Sequence, residues 1–460
     1  EIQIGLGDRD QARATLQRAL DLQSRLSGAD SPATALARAR LGEATFAAGD
    51  AAGATTLLRD ALPRLRAGYG ADSREAAAAE ASLATFEHVA GNRDEAFRLA
   101  THALAVARSF GDAPEIAMRL AEIGRLQQES SQYDAALRSF DESLRIIERD
   151  QGERHARTVI LHAQIGDVLR YQRRYEESQR HYETALAIER EQLPAGHALI
   201  GSTLLRLGDL QRRRGRLEDA ERAFAEALSI LPEGNAQRAQ ALQYSAELAE
   251  AQGRFDLAVE RHRAAFATFR RATGDSLYTW LAATQLMQAM IQAGRLADAD
   301  ALAAEAVPAI ARVSEADAYE RAVADAAVGQ LRHAQQRFTE AIALRRHALA
   351  VMTHEYGEQH VETARARIEL AASLAAARDA SLRDEAATLL ERAARALEDS
   401  SDPQAADALG LLDLERARLH LATGARADAR ADLAQAMARL QSPRRLPQLR
   451  EAQALARTLR

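Results

Sequence analysis

A short pattern recurs along nearly the whole chain and limits the folds that the chain can adopt. A turn residue, most often glycine, is followed five positions later by a small residue, as in Gly215 and Ala220. The next large residue comes four positions further on, at Phe224, and Ala227 follows it. Spacings of three and four residues place side chains on one face of a helix. Each occurrence therefore predicts a corner between two antiparallel helices.

Eleven such corners succeed one another at intervals of 38 to 45 residues. Their turn residues are Gly7, Gly49, Gly91, Ser131, Arg173, Gly215, Gly253, Gly294, Gln336, Ser381 and Gly424. A period of this length is typical of repeat arrays, in which each unit contacts only its neighbours. We therefore expect an all-α, right-handed superhelical solenoid of about eleven antiparallel helix pairs over residues 1–441, the first pair incomplete. A C-terminal capping helix is expected over residues 442–460.

A glycine often stands seven positions before the corner, in the middle of the first helix. Examples are Gly42, Gly124, Gly166, Gly208 and Gly329. Because a glycine inside a helix costs about 1 kcal/mol relative to alanine, its recurrence needs a compensating cause. We predict that the paired helix approaches closely at this point.

Several units depart from the pattern. Arg173 and Gln336 replace the corner glycine, and extra residues enter between Ala375 and Ser381. We expect these units to be less regular than the others.

Composition argues against several classes of function. The net charge is -6, which disfavours nucleic acid and anionic membrane surfaces as partners. All 60 basic residues are arginines, and phosphate-binding P-loops and Schiff-base enzymes require a lysine. The chain has no cysteine, and no apolar run reaches the roughly 18 residues of a membrane span. We predict no cofactor, no metal, no membrane contact within these residues and no enzymatic activity.

Apparent catalytic motifs have simpler interpretations. GDSL at residues 274–277 resembles a hydrolase nucleophile motif, but it lies in a loop between units and no strand precedes it. THEYGEQH at residues 353–360 lacks the i, i+4 histidine pair of a zinc-binding helix. His88 and His333 stand singly on helices, which predicts ordinary surface or groove positions. The helix that follows Trp280 is the most apolar, and it either forms inter-helix core or offers an adaptable methionine-lined pocket.

The spacing of Gly208, Gly215, Ala220, Phe224 and Ala227 resembles the tetratricopeptide repeat. The step of about 42 residues is similar to the longer repeat of kinesin light chains. A G-x-x-H loop, at residues 152–155 and 357–360, adds to that similarity. Similar arrays occur in C-terminal regions of bacterial serine/threonine kinases. The resemblance implies that the first helices of successive units line a concave groove, where protein or peptide partners bind. The recurring groove asparagine of kinesin light chains is not found, so cargo binding of that kind is not implied.

Projecting the family's groove positions onto this sequence gives a set of polar residues rich in arginine. They are Arg125, Gln128, Asp167, Arg170, Tyr171, Arg206, Asp209, Arg212 and Arg213. Arginine suits the bidentate recognition of carboxylates and phosphates, so one hypothesis is a groove for an acidic or C-terminal peptide segment. The alternative is a solvated face whose charges are balanced by nearby glutamates and aspartates.

The favoured function is a non-catalytic protein- or peptide-binding scaffold or regulatory module. One alternative is the ligand-sensing regulatory region of a larger bacterial serine/threonine kinase, and an enzyme is the third. The chain begins at Glu1 with almost no helix before Gly7, which predicts a fragment of a longer protein. A cytoplasmic location is favoured, and a periplasmic one is the alternative if a membrane span precedes residue 1. The oligomeric state is left open.

Overall fold

The computed structural model describes residues 9–315, 318–377, 379–398, 400, 405–441 and 445–459. Within these ranges the regular structure consists of 22 α-helices and one 3-10 helix, without strands. Successive helices pack as antiparallel pairs, which confirms the all-α solenoid predicted from the sequence. The predicted corner at Gly7 lies outside the described residues.

Residues 1–194 form one compact unit and residues 195–460 form another. The helices of the first unit are α1 (Arg9–Ser27), α2 (Pro32–Ala47), α3 (Ala51–Tyr69), α4 (Arg74–Val89), α5 (Arg93–Phe110), α6 (Ala113–Glu129), α7 (Tyr133–Gln151), α8 (Ala156–Tyr171) and α9 (Tyr175–Gln192). Those of the second unit are α10 (Ala198–Arg213), α11 (Leu217–Ile230), α12 (Ala236–Ala251), α13 (Phe255–Thr273), α14 (Leu277–Gln292), α15 (Leu296–Val313), α16 (Tyr319–Ala334), α17 (Phe338–Tyr356), α18 (Val361–Ala376), α19 (Arg383–Glu398), α20 (Ala405–Thr423), α21 (Arg426–Arg439) and α22 (Leu446–Thr458).

Each hairpin joins an even-numbered helix to the odd-numbered helix that follows it, from α2–α3 to α20–α21. Within each unit the second helix of a hairpin also packs on the first helix of the next. In the second unit, α22 packs on α21, and Ala452 of α22 and the residue that follows the helix, Leu459, belong to a buried cluster there. Residues 442–444, with which the predicted cap begins, lie outside the described residues.

Most of the corners within hairpins share one backbone geometry. At the end of α10, Gly215 has φ of +73° and its N–H donates to the carbonyl of Arg212, while the N–H of Arg216 donates to the carbonyl of Gln211. This pair of bonds is the Schellman motif, which satisfies the last carbonyls of a helix with a left-handed residue. It turns the chain directly into α11.

The corners at which Arg173 and Gln336 replace glycine adopt the same geometry. Arg173 and Gln336 have φ of +60° and +61°. The N–H of Arg173 donates to the carbonyl of Arg170, and the N–H of Arg174 donates to that of Leu169. The prediction that these two units are less regular is therefore wrong. At Ser381 the extra residues instead form a 3-10 helix, Ala380–Leu382, which leads into α19.

The predicted packing of glycine against a large side chain is present. Phe140, Tyr182 and Phe224 are fully buried on the second helices of their hairpins. A Cβ placed on Gly166 would lie 2.5 Å from Cε1 of Tyr182, so only glycine fits beneath that ring without displacing it. Burying each such side chain contributes roughly 1.5–3 kcal/mol.

Arg345 is the exception among these large side chains. It is buried beside Gly329, and its guanidinium donates to Ser373 Oγ at 2.7 Å and to the carbonyl of Glu369 at 2.5 Å. Burial lowers the pKa of Arg345. A charged side chain thus occupies the position that an aromatic ring fills in the hairpins of Phe140, Tyr182 and Phe224.

The apolar helix α14 belongs to the core of the second unit. Trp280 is 1% exposed, and Met287 and Met290 are buried beside it in one cluster. Of the two interpretations of this helix, inter-helix core is the one that the structure supports. The GDSL loop is also structural, because Ser276 accepts a hydrogen bond from the N–H of Thr279 and caps α14.

Candidate peptide-binding groove

The predicted groove residues of the first unit lie on the last turns of α6 and α8. Arg125 forms an ion pair with Glu129 at 2.7 Å and reaches Thr85 of the neighbouring helix α4 at 3.5 Å. Gln128 is half-buried one turn after Arg125. These contacts place the ends of α4 and α6 side by side on one surface.

On α8 the predicted residues contact one another. Arg170 lies over the ring of Tyr171 at 4.4 Å and is 3.8 Å from Asp167. Asp167 also accepts a hydrogen bond from the hydroxyl of Tyr182 at 2.6 Å. The exposed ring of Tyr171 stacks on Tyr133 of α7 with centroids 5.6 Å apart.

In the second unit the predicted residues form a charge cluster on α10. The buried carboxylate of Asp209 accepts from Arg212 at 2.7 Å and from Arg213 at 2.9 Å. Burial acts to raise the pKa of Asp209, but the two guanidiniums outweigh it and hold that pKa below its usual value. Arg212 also contacts Glu247 at 3.1 Å. Arg206 donates to the carbonyl of Ser202.

The arginines that face carboxylates here are therefore less available to an acidic partner than their number in the sequence suggests. Arg125, Arg170, Arg212 and Arg213 each lie within ion-pair distance of a carboxylate of the same unit. Only the pair of Arg125 with Glu129 is substantially exposed on both sides, and such a pair stabilises the fold by about 0–1 kcal/mol. The main effect of the four pairs is to offset the positive charge of these arginines.

An apolar surface that the sequence analysis missed lies on the same helices of the first unit. Leu36, Ala78, Met118 and Ile160 occupy one equivalent position, thirteen residues before the corner, in four successive hairpins. We call these four residues the apolar ladder. Met118 is 36% exposed and Ile160 is 55% exposed. The sequence does carry a signal for this surface, because the position thirteen residues before the corner is apolar in all four of these hairpins.

Two cavities open along the apolar ladder. The first has a volume of about 330 Å³ and lies between α2, α4 and α5, with Leu36, Ala78, Val106 and Phe110 among its walls. The second has a volume of about 230 Å³ and lies between α6, α7 and α8, where Met118, Ile147 and Ile160 line it. Ligand pockets are typically concave and mainly apolar with a few polar groups. Both cavities are lined by the first helices of these hairpins.

The loop histidines have a structural role. His155 and His360 accept hydrogen bonds through Nδ1 from the N–H groups of Arg157 and Glu362, and so cap α8 and α18. Among the described residues no group of three or more His, Asp or Glu side chains is arranged to hold a metal ion. The described helices also include none with the length and apolar character needed to cross a bilayer.

His88 and His333 are more enclosed than predicted. The ring of His88 is 10% exposed and pairs with Glu129 of α6. His333 lies 3.1 Å from Ser373 Oγ, and burial, with Arg345 and Arg418 nearby, lowers its pKa to about 3. Both side chains therefore join neighbouring hairpins.

Comparison with known proteins supports the repeat. Residues 1–67, 75–149 and 157–233 match the tetratricopeptide repeat family model. No curated protein sequence matches the chain significantly.

Several solved structures are similar in part. BtubC (BKLC) from P. vanneervenii is 22% identical, with a TM-score of 0.42 over 48% of this chain and 90% of that one. A putative kinesin light chain with tetratricopeptide-like repeats from Podospora anserina is 15% identical, with a TM-score of 0.38 over 42% and 92%. PilF of Pseudomonas aeruginosa is 19% identical, with a TM-score of 0.37 over 59% and 96%.

The stacked hairpins and their Schellman corners define an all-α helical repeat protein. Together with the family match over residues 1–67, 75–149 and 157–233, they support the assignment of this chain as a tetratricopeptide repeat protein. Proteins of this family are generally non-catalytic scaffolds for protein interactions.

Proposed function

We propose that this chain binds an extended peptide segment of a partner protein along the apolar ladder of its first unit, without catalysing a reaction. The observation that carries the proposal is the exposure of Met118 and Ile160 at equivalent positions, beside cavities whose walls are mainly apolar. Isolated exposed apolar side chains are common on proteins, but a row of them along a cavity marks an interaction surface.

The repeat architecture suits an extended ligand. An extended chain presents side chains at regular intervals, and stacked hairpins present equivalent pockets at regular intervals. Because the helices are held by their neighbours, the groove is formed before the ligand arrives, which limits the entropy lost on binding. Apolar side chains that enter the cavities stabilise the complex by about 25 cal/mol per Å² buried.

The predicted polar residues would border the same groove in this proposal. Arg125, Gln128, Asp167, Arg170 and Tyr171 follow the apolar ladder by seven to eleven residues on α6 and α8, and Arg125 lines the second cavity together with Met118 and Ile160. Asp209, Arg212 and Arg213 hold the corresponding positions on α10 of the second unit, and Arg206 lies three residues before Asp209. Since most of these arginines face a carboxylate, we favour an apolar anchor over a uniformly acidic ligand.

Selection from a displayed library of random 12-residue peptides tests the proposal. The bait is the full chain, and the selected peptides are then titrated against Met118→Asp/Ile160→Asp by fluorescence anisotropy. We expect affinity to fall at least about tenfold, because two charges would enter an apolar contact surface. Val313→Asp is the matched control, since Val313 is 43% exposed on α15 of the other unit. Peptides that bind the double variant as tightly as the native chain, or a selection that yields none, would reject the proposal.

A further inference from the structure

In each of the two cavities, all but one of the charged side chains on the wall form an ion pair with another side chain. In the first cavity, Arg40 pairs with Glu43 at 3.1 Å and Arg74 pairs with Asp112 at 3.0 Å. Glu75 lines the same cavity and has no ion-pair or side-chain hydrogen-bond partner in the part of the chain that the structure describes. It thus presents a negative charge to the groove that no neighbour compensates.

The second cavity presents the opposite charge. Glu122 pairs with Arg119 at 2.6 Å and Arg125 pairs with Glu129 at 2.7 Å. The guanidinium of Arg157 is exposed on the cavity wall. Within the described ranges of the chain, it has no ion-pair or side-chain hydrogen-bond partner. This cavity therefore ends in an uncompensated positive charge.

The two unpaired charges hold equivalent places in their repeats. Glu75 and Arg157 each stand sixteen residues before their corner and three residues before a rung of the apolar ladder, Ala78 or Ile160. Residues three apart on a helix are neighbours on its surface. The equivalent residue of the hairpin between them is Glu115, which pairs with Arg119 at 2.7 Å. The unpaired charges therefore flank the part of the apolar ladder that runs from Ala78 through Met118 to Ile160.

Arg157 is not explained by the stability of its own helix. It is the second residue of α8, whose first turn contains no acidic residue. A cation in the first turn opposes the helix dipole, which favours negative charge there. An anionic group of a ligand placed against Arg157 would offset the unfavourable interaction of the guanidinium with the helix dipole. It would also supply the counter-charge that Arg157 lacks. Glu75, in the first turn of α4, is compatible with its helix but also lacks a counter-charge in the groove.

We infer that the groove holds its peptide in one direction, with a basic group against Glu75 on α4, an acidic group against Arg157 on α8, and apolar side chains between them along the ladder. The inference rests on the proposed function and assigns the chemistry of the ligand. From α4 to α8 there are two steps between packed helices, each at least about 8–10 Å. An extended chain rises about 3.3 Å per residue, so the charged groups are separated by at least about five residues.

Two probe peptides of the same composition test the direction. Both carry acetylated and amidated ends; one reads Arg-Ser-Leu-Ser-Leu-Ser-Leu-Ser-Glu and the other reads the reverse. Each is titrated by fluorescence anisotropy against the native chain and against the charge-swapped variant Glu75→Arg/Arg157→Glu. We expect the native chain to prefer one probe by about fivefold, the variant to prefer the other by a similar ratio, and both preferences to shrink in about 0.5 M salt.

A matched control keeps the net charge constant. Glu233→Arg/Arg271→Glu exchanges an exposed ion pair of the second unit, 3.1 Å apart, and should leave the probe preference unchanged. Equal binding of the two probes that still depends on Met118 and Ile160 overturns the assigned direction but leaves the groove in place. Binding that ignores Met118 and Ile160 instead contradicts the proposed function. Failure of both probes to bind saturably also overturns this inference.

Discussion

Gly124 on α6 lies directly beneath the ring of Phe140 on α7. A Cβ placed on Gly124 would stand 2.7 Å from Cε1 and 2.8 Å from Cδ1 of that ring. Carbon atoms in contact prefer separations of about 3.5–4.0 Å, so the ring fits only because residue 124 has no side chain. The same relationship joins Gly166 to Tyr182 and Gly208 to Phe224.

Gly124→Ala should lower the free energy of unfolding by about 1–3 kcal/mol, because the added methyl displaces a buried ring. Intrinsic helix propensity alone predicts the opposite sign, a gain of about 1 kcal/mol. Denaturant unfolding followed by circular dichroism measures the difference. Gly196→Ala is the control, since a Cβ there would meet nothing within 4 Å. If Gly124→Ala is neutral or stabilising, the close approach of α6 and α7 is not as described.

Arg173→Gly should raise the free energy of unfolding by about 0.5–1 kcal/mol. Arg173 has φ of +60°, a conformation that costs an ordinary L-residue roughly 1–2 kcal/mol, and the greater freedom of an unfolded glycine offsets part of the gain. Gly215→Ala is the reciprocal change, at φ of +73°, and should destabilise by a similar amount. Thermal and denaturant melts of both variants check the pair. A less stable Arg173→Gly would show that its side chain contributes more than its backbone costs.

The first unit should lose stability as pH falls below neutrality because of a histidine pair. Nδ1 of His162 lies 2.9 Å from Nδ1 of His181, so at least one of these atoms must be unprotonated. Burial, and then the charge of His181, lowers the pKa of His162 to about 4. An unfolded histidine has a pKa near 6.5, so the unfolded state takes up the proton first. The contribution of His162 to the free energy of unfolding is then fully present above about pH 7. It decreases toward pH 4, by up to about 1.4 kcal/mol per pH unit for one group.

His162→Asn keeps a hydrogen-bonding group but removes the titration, so its melting temperature should fall less between pH 7 and pH 5 than that of the native chain. His354→Asn alters an exposed histidine of the second unit and serves as the control. An identical pH profile for His162→Asn and the native chain would remove His162 as the cause.

Fluorescence of Trp280 should behave as that of a core residue. The indole is 1% exposed and lies within 6.0 Å of the Phe266 ring and 5.6 Å of the Arg270 guanidinium. We expect blue-shifted emission, slow quenching by acrylamide, and no change when a peptide occupies the first unit. Rapid quenching relieved by a ligand would instead favour the pocket interpretation of α14.

Local rules were enough to predict the corners and the packing within hairpins. Gly215, Ala220 and Phe224 lie within one stretch of sequence, and helical spacing determines which of them face the partner helix. The conformation of Arg173 was not predictable in the same way. The propensity of arginine disfavours the left-handed region, but the surrounding hydrogen bonds of the corner impose it.

Contacts between hairpins were harder to predict. Arg212 and Glu247 are 35 residues apart, and their pairing depends on the register in which α10 and α12 lie beside each other. Because the sequence alone does not give that register, it does not show that carboxylates face the arginines at the predicted groove positions. These arginines therefore looked free to bind a ligand. Arg345 posed a similar problem, since its partners Ser373 and Glu369 belong to the next hairpin.

Glycine and the ring above it belong to the same hairpin, and this has an evolutionary consequence. A duplication or deletion that spans one whole hairpin adds or removes the glycine together with the large side chain that packs on it. The packing within the remaining hairpins is therefore kept, and few compensating substitutions are needed at the new junction. Arrays of this kind can thus change length in single steps. The hairpin of Gly329 and Arg345 is less portable, because its buried cation depends on oxygen atoms that the following hairpin provides.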